Sequence, residues 1–255
     1  MSELIKTEQQ GGVLTVRINR PDKKNALTLD MYNALTEALN LLHSDNKLRV
    51  MLLTGSEDSF TSGNDIMDFI QNPPTGDDSP VSLFLKAIST ADKPIVVAVN
   101  GLAIGIGTTL LLHSDLIYAG ESTSFQLPFV NLALVPEAAS SLILTNMMGH
   151  QKASELLLLG DKFDAAKAES LGIVTRVVSD DELYDVAMAA AQNIAAKAPE
   201  AIRLAKGLMK SKTTTIEERM LEEGDIFQKR LTSPEALEAM TAFMERRKPD
   251  FSKFD

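Results

Sequence analysis

The sequence predicts an α/β core followed by a helical C-terminal extension, and two observations carry that prediction. Short apolar runs of strand composition alternate with segments of helical periodicity up to about residue 178. Beyond Asp181 only the helical period remains. At 255 residues, 44% of them hydrophobic, the chain buries roughly 70–75% of its unfolded surface, so a full core is available.

Taken in order, Val13 to Ile18 alternate Val13, Thr15 and Arg17 against Leu14, Val16 and Ile18, the pattern of a strand packed on one face. Pro21 and two lysines break it. From Thr28, an N-cap residue type, Met31, Leu35, Ala38, Leu39 and Leu42 share one face of a helix reaching about His43. Val50 to Gly55 is a fully apolar strand, after which Ser62-Gly63-Asn64 makes a tight turn and Asp65 starts a short helix. Gln71 to Pro80, with three prolines and no period, is a surface loop, and VSLFLKAIST is a helix.

Pro94 to Ser141 is the stretch the rest surrounds. Ile95 to Ala98 read as a strand buried on both faces, Asn100-Gly101 is a turn, and Gly105 and Gly107 allow close backbone approach before an apolar helix from Leu110. The N–H groups at that helix start are free to bind an anion. Asp115 to Gly120 is a further strand. An apolar loop or strand then runs to Pro136-Glu137 at an expected helix start. Gln151 to Leu159 and Ala165 to Leu171 read as helices and Ile173 to Val178 as a strand. Leu183, Val186, Ala187, Ala190 and Ile194 line one helical face, and three more amphipathic segments run to about Arg247.

Composition excludes several functions. The absence of cysteine removes disulfides, thiolate nucleophiles and thiolate-bound metals. His43, His113 and His150 show no paired spacing for zinc, so no metal is expected. A net charge of −10 argues against nucleic-acid binding, and no apolar run approaches the ~20 residues of a membrane span. With no leader-like start and no address such as SKL at the end, a cytoplasmic protein is expected.

RPDKKNAL at 20–27, SFTSGNDI at 59–66, KPIVVAVNGLAIGIGTTLLLHSDLIYAG at 93–120, ELLLLGDKFDAAKAESLGIV at 155–174 and AFMERRKPDF at 242–251 resemble, in order, the motifs of the enoyl-CoA hydratase/isomerase (crotonase) superfamily. The resemblance implies a crotonase-like spiral of ββα repeats over residues 1–197. It implies a helical region at 198–255 that assembles homotrimers or hexamers, and an acyl-CoA thioester as substrate, with CoA part of the substrate and no separate cofactor. It further implies that the thioester carbonyl is held by the backbone N–H groups of Asn64, after Gly63, and Ile106, between Gly105 and Gly107. Taken alone, such glycines are more often turn or packing residues, and Leu110 stands where a dinucleotide fingerprint needs its third glycine.

The departures from the family pattern choose the reaction. Hydratases of this superfamily carry two glutamates, at positions that align here with Thr109 and Phe129. Adding water to a double bond needs a base and an acid, which neither supplies; Phe129 joins Leu127, Leu132 and Leu134 in an apolar wall. Glu137, in LVPEAASS, resembles the catalytic glutamate of the peroxisomal-type Δ3,Δ2-enoyl-CoA isomerases. Read without the resemblance, an acid at a helix start complements the helix dipole. Lys24, with Lys23, lies near the acyl site by family position; Arg203, Lys206 and Lys210, and Arg246 to Lys248, are further candidates for the CoA phosphates. His113 reads as a satisfied core histidine and Asp65 as a helix-start residue. The expected activity is isomerisation of 3-enoyl-CoA in fatty-acid oxidation. The alternatives are a hydratase or hydrolase of the same superfamily, and a non-catalytic acyl-CoA-binding scaffold.

Overall fold

The structure, a computed structural model, describes residues 3–56, 58–211 and 215–254. Met1, Ser2 and Asp255, at the two ends searched for targeting signals, lie outside the described residues. The chain opens with β1 (Ile5–Gln10), β2 (Val13–Ile18), α1 (Leu29–Ser44), β3 (Val50–Thr54), α2 (Ile66–Gln71) and α3 (Pro80–Ser89). Then come β4 (Ile95–Val99), β5 (Leu102–Ile104), α4 (Ile106–Thr109), β6 (Leu116–Gly120), β7 (Ser124–Gln126), α5 (Ser140–Met148), α6 (His150–Ser154), β8 (Lys162–Asp164), α7 (Ala165–Ser170) and β9 (Arg176–Val178). The chain closes with α8 (Leu183–Ala195), α9 (Pro199–Lys210), α10 (Ile216–Leu231) and α11 (Pro234–Met244).

Two ladders generate the expected spiral. A six-stranded sheet runs β1-β2-β3-β4-β6-β9, antiparallel at β1/β2 and parallel elsewhere. A second ladder runs β5-β7-β8 and is continued by single bridges from Thr61 to Ala103 and from Leu27 to Asn64. Each turn of chain therefore lays one strand in the large sheet, one short segment in the second ladder, and then a helix. β2, Leu27 and α1 make one such turn; β3, Thr61–Asn64 and α2 the next; β4, β5 and α4 the third. A parallel sheet needs such crossovers, because a tight turn cannot return a strand in the same direction.

Both faces of the large sheet are covered. Leu14, Val16, Ile18, Met51, Leu53, Val97 and Val99 pack with α1 and α3 on one side, while Val13, Val50, Leu52, Val96 and Ala98 meet Leu183, Ala187, Ala191 and Ala195 of α8 on the other. This corrects the expectation for β2, whose Val13 and Thr15 are buried as well, because α8 returns from far along the chain to cover them. The N-cap of α1 is Thr28, whose hydroxyl accepts from the Met31 amide at 3.4 Å. The segment read as a helix through Leu159 is α6 running on into a π-turn at Glu155–Leu159 that ends on left-handed Gly160. The strand expected from Ile173 is confined to β9.

The last helices are fastened to the core by charge. Lys206 of α9, 3% exposed, donates to Asp115 Oδ2 at 2.7 Å and to the Lys93 carbonyl at 2.7 Å, while Asp115 also accepts the Ile95 amide at 2.7 Å. Burial pulls Lys206 below its ordinary value, and the Asp115 charge opposes that pull. Lys93 in turn donates to the carbonyls of Leu42, Asp45 and Leu48 at 2.7–2.9 Å, capping the end of α1. Lys206 is thus spent in the interior and is no phosphate ligand. Outside this fastening α9 to α11 present apolar surface: Met220, Phe227, Leu237 and Phe243 are exposed, the last by 85%. A groove of about 650 Å³ between α9 and α10 is lined by Leu204, Leu208, Met220 and Phe227.

Lys206→Ala leaves Asp115 with an uncompensated charge and should cost about 3–5 kcal/mol of unfolding free energy. Arg203→Ala, which removes a surface pair with Glu200, should cost less than ~1 kcal/mol. Urea unfolding of both variants checks this; equal losses would show that Asp115 finds water.

Candidate active site

The site begins where the second ladder ends. Phe60 N–H donates to the Asn100 carbonyl at 2.7 Å, Thr61 N–H to that of Leu102 at 2.8 Å, and Ile104 N–H to that of Thr61 at 3.1 Å. From the Thr61–Ala103 bridge, three residues onward along each segment arrive at Asn64 and Ile106. On its outer edge the first segment bonds Leu27, through the Gly63 carbonyl and the Asp65 amide, both at 2.8 Å. The Asn64 N–H projects from the opposite edge. Ile106 is the first residue of α4, so its N–H has no intrahelical acceptor. Among the described residues neither amide donates a hydrogen bond to another backbone or side-chain group.

The glycines make this end of the ladder possible. Gly63 turns with φ of +93°, and a Cβ there would sit 3.0 Å from the Ile104 carbonyl oxygen. Gly105 has φ of 57° and ψ of −115°, open to glycine alone, and a Cβ on it would enter empty space. Gly107 serves packing: its Cβ would meet Thr61 Cγ2 at 2.6 Å.

Behind the first segment stands buried Asn25, in the left-handed region. Its side chain donates to the Ser59 carbonyl at 2.5 Å and accepts the Arg20 amide at 2.7 Å, and its carbonyl accepts the Thr61 hydroxyl at 2.7 Å. Arg20 closes the bracket with an ion pair to Asp65 at 2.7 Å, which holds the Asp65 carboxyl below its usual range. Asp65 also caps α2, as expected. Exposed Lys24 accepts the Ser62 amide on its carbonyl at 3.0 Å, which sets it beside the Ser62-Gly63-Asn64 turn; among the described residues its ammonium has no ion-pair partner.

Glu137 is tied to this region through Thr109 of α4 and through Tyr32, which feels its charge and bonds Asn64. The helix expected to start at Pro136-Glu137 starts at Ser140, so Glu137 stands before it. It accepts a hydrogen bond from the Thr109 hydroxyl at 2.9 Å. Thr109 is three residues beyond Ile106 on α4 and therefore one helical turn, roughly 5–6 Å, from it. Burial pushes the Glu137 carboxyl above its ordinary value, and the Thr109 hydroxyl opposes that rise. Glu137 lies outside the first turn of α5, and its carboxylate is bonded from α4.

Three features escaped the sequence reading. Tyr32 of α1 is fully buried against Phe69 and Phe84, and its hydroxyl donates to Asn64 Oδ1 at 2.5 Å. Burial first and the Glu137 charge second hold it protonated, well above its ordinary range. Thr109 hydrogen-bonds the Glu137 carboxylate. Phe129 is buried in the core beside Leu127, but Leu132 and Leu134 are exposed, so the apolar wall expected of all four is built by only two. Among the described residues no group of three or more His, Asp or Glu side chains is arranged to hold a metal, and no helix is long and apolar enough to cross a membrane.

Comparison with known proteins bears on the fold and family. Residues 8–253 match the family model described as Enoyl-CoA hydratase/isomerase. The chain is 32% identical to enoyl-CoA delta isomerase 2 of Homo sapiens over 96% of its own length and 64% of that longer protein. It is 31% identical to 2,3-dehydroadipyl-CoA hydratase of Escherichia coli (strain K12), over 98% of the chain and 99% of the relative. Its fold superposes with a TM-score of 0.80 on an enoyl-CoA hydratase/isomerase from Pseudoalteromonas atlantica T6c, 42% identical, covering 98% of this chain and 100% of that one.

Partial burial of an ionised Glu137 costs folding free energy. A carboxyl whose folded value is raised binds its proton more tightly folded than unfolded, so its contribution favours folding fully below the ordinary carboxylate range and is lost as pH rises through the raised value. Glu137→Gln should therefore melt above the wild type at pH 8, and the gap should close towards pH 4. Calorimetric scans at the two values check this; a gap that widened on acidification would reverse the sign.

Proposed function

The chain belongs to the enoyl-CoA hydratase/isomerase family, and from that premise we propose that it is a Δ3,Δ2-enoyl-CoA isomerase of fatty-acid oxidation. The observation that carries the reading is a half-buried carboxylate, Glu137, hydrogen-bonded by Thr109 on the same short helix whose first amide, that of Ile106, has no protein acceptor among the described residues. The thioester carbonyl of a 3-enoyl-CoA accepts from the N–H groups of Asn64 and Ile106. Glu137 removes a proton from C2, and the charge spreads through the dienolate onto the carbonyl oxygen, where the two donors meet it. The same carboxylic acid then delivers the proton to C4, leaving the double bond between C2 and C3. Removing one such donor elsewhere has cost about 2.7–4 kcal/mol of transition-state stabilisation.

One carboxylate suffices for this reaction because its proton leaves and returns on the same face. Hydration needs a second proton-transfer group, and Thr109 and Phe129 supply a hydroxyl already bonded to Glu137 and a buried phenyl ring. Substrate binding is assigned to Gly63 and Gly105, whose backbone bends at the ladder end, to Gly107, whose lack of a side chain seats α4 against Thr61, to Thr109 and Phe129, and to Lys24 for the CoA phosphates. A trimer, or a hexamer of two, would cover the exposed apolar residues of α10 and α11.

Incubation with 3-enoyl-CoA should give conjugated thioester rapidly, and 2-enoyl-CoA should gain water slowly. Glu137→Gln should lower isomerase turnover by ~10²–10⁴-fold with little change in acyl-CoA affinity. Fast hydration, or a Gln variant of normal turnover, would overturn the assignment. Light scattering at micromolar concentration should report three chains or a multiple; a monomer would count against the assembly.

A further inference from the structure

Immediately after Glu137 the backbone does something costly: Ala138 and Ala139 both lie in the left-handed region, with φ of 53° and 54°. Two adjacent L residues hold that conformation only where their surroundings impose it. Most bonds of the turn are local. The Glu137 carbonyl accepts from the Ser140 amide and hydroxyl at 2.9 and 2.7 Å, and the Ala139 carbonyl accepts from the amides of Leu142 and Ile143 at 3.0 Å. These bonds move with the turn and cannot fix where it sits.

One bond comes from elsewhere. His113 Nε2 reaches the Ala138 carbonyl at 2.9 Å; a carbonyl only accepts, so Nε2 carries the proton. His113 is one helical turn past Thr109, which grips the carboxylate end of Glu137. The segment that starts with the Ile106 amide thus holds the glutamate's carboxylate through Thr109 and the backbone of the next residue, Ala138, through His113. We propose that His113 is a positioning residue for the reaction: its hydrogen bond to the Ala138 carbonyl holds the left-handed Ala138-Ala139 turn in the register that aims Glu137 at the substrate. This rests on Glu137 being the base.

The test compares His113→Met, which fills volume without a donor, with His113→Gln, which keeps an N–H at the same reach. Each is made with and without Ala138→Gly, and Glu137→Gln is assayed alongside. In His113→Met, kcat for 3-enoyl-CoA should fall about ten- to a hundredfold, the scale of an ångström of misplacement, with KM and melting temperature near wild type. His113→Gln should keep most of the turnover. Adding Ala138→Gly to His113→Met should recover about fivefold or more, because glycine occupies the left-handed region without the penalty an alanine incurs. If His113→Met does not fold, the Gln variant and Ala138→Gly in the native background still decide: both should turn over near the wild-type rate, and a collapse of kcat in either overturns the proposal. Normal kcat in His113→Met, or a loss that glycine does not relieve, overturns it while leaving Glu137 as the base. Normal turnover in Glu137→Gln overturns both.

Discussion

The site depends on the parallel register between Thr61 and Ala103. Three short backbone hydrogen bonds fix two segments from different turns of the spiral side by side, and then the pairing stops. Gly63 and Gly105 bend the two segments at that point, so the next amides, of Asn64 and Ile106, emerge together with no protein acceptor. A buried N–H without a partner is costly, and a fold tolerates two such groups most readily where a ligand oxygen completes them. Asn25 and Arg20 exist in this arrangement to brace one segment; the Gln126 carbonyl, which takes the Gly105 amide at 2.9 Å, braces the other.

A second constraint holds the scaffold behind that register. Lys93 and Lys206 bury two ammonium groups between α1, the large sheet and α9, each satisfied by carbonyls or by Asp115. Such groups are worth little as net stabilisation but are severe when broken, which suits a junction whose purpose is geometry. The same logic recurs at Glu137, whose burial lowers stability and raises basicity together.

Much of the architecture was legible. Apolar runs such as Val50 to Thr54 and Ile95 to Val99 announce buried parallel strands, and Thr28 and Asp65 announce their helices. β1 was not foreseen, because five of its six residues are only partly buried or exposed and show no alternation. β5 and β8 are three residues long, too short to show any period. Asn64 and Ile106 are reached only through motif resemblance, since a free N–H has no sequence signature. Tyr32 and His113 were illegible as site residues because their meaning lies in partners 32 and 25 positions away. The helix start misread at Pro136 had a local reason: proline followed by an acid is a common opening, and only the two left-handed alanines show that the helix waits until Ser140.

In the proposed reaction one carboxylate carries a proton from C2 to C4 under a thioester held by two amides. A 3-enoyl-CoA carrying deuterium at C2, turned over in ordinary water under single-turnover conditions, tests it most directly. The account predicts 2-enoyl-CoA with part of the label at C4 and no oxygen gained from solvent. A 3-hydroxyacyl-CoA as the main product, with no label at C4, would contradict it.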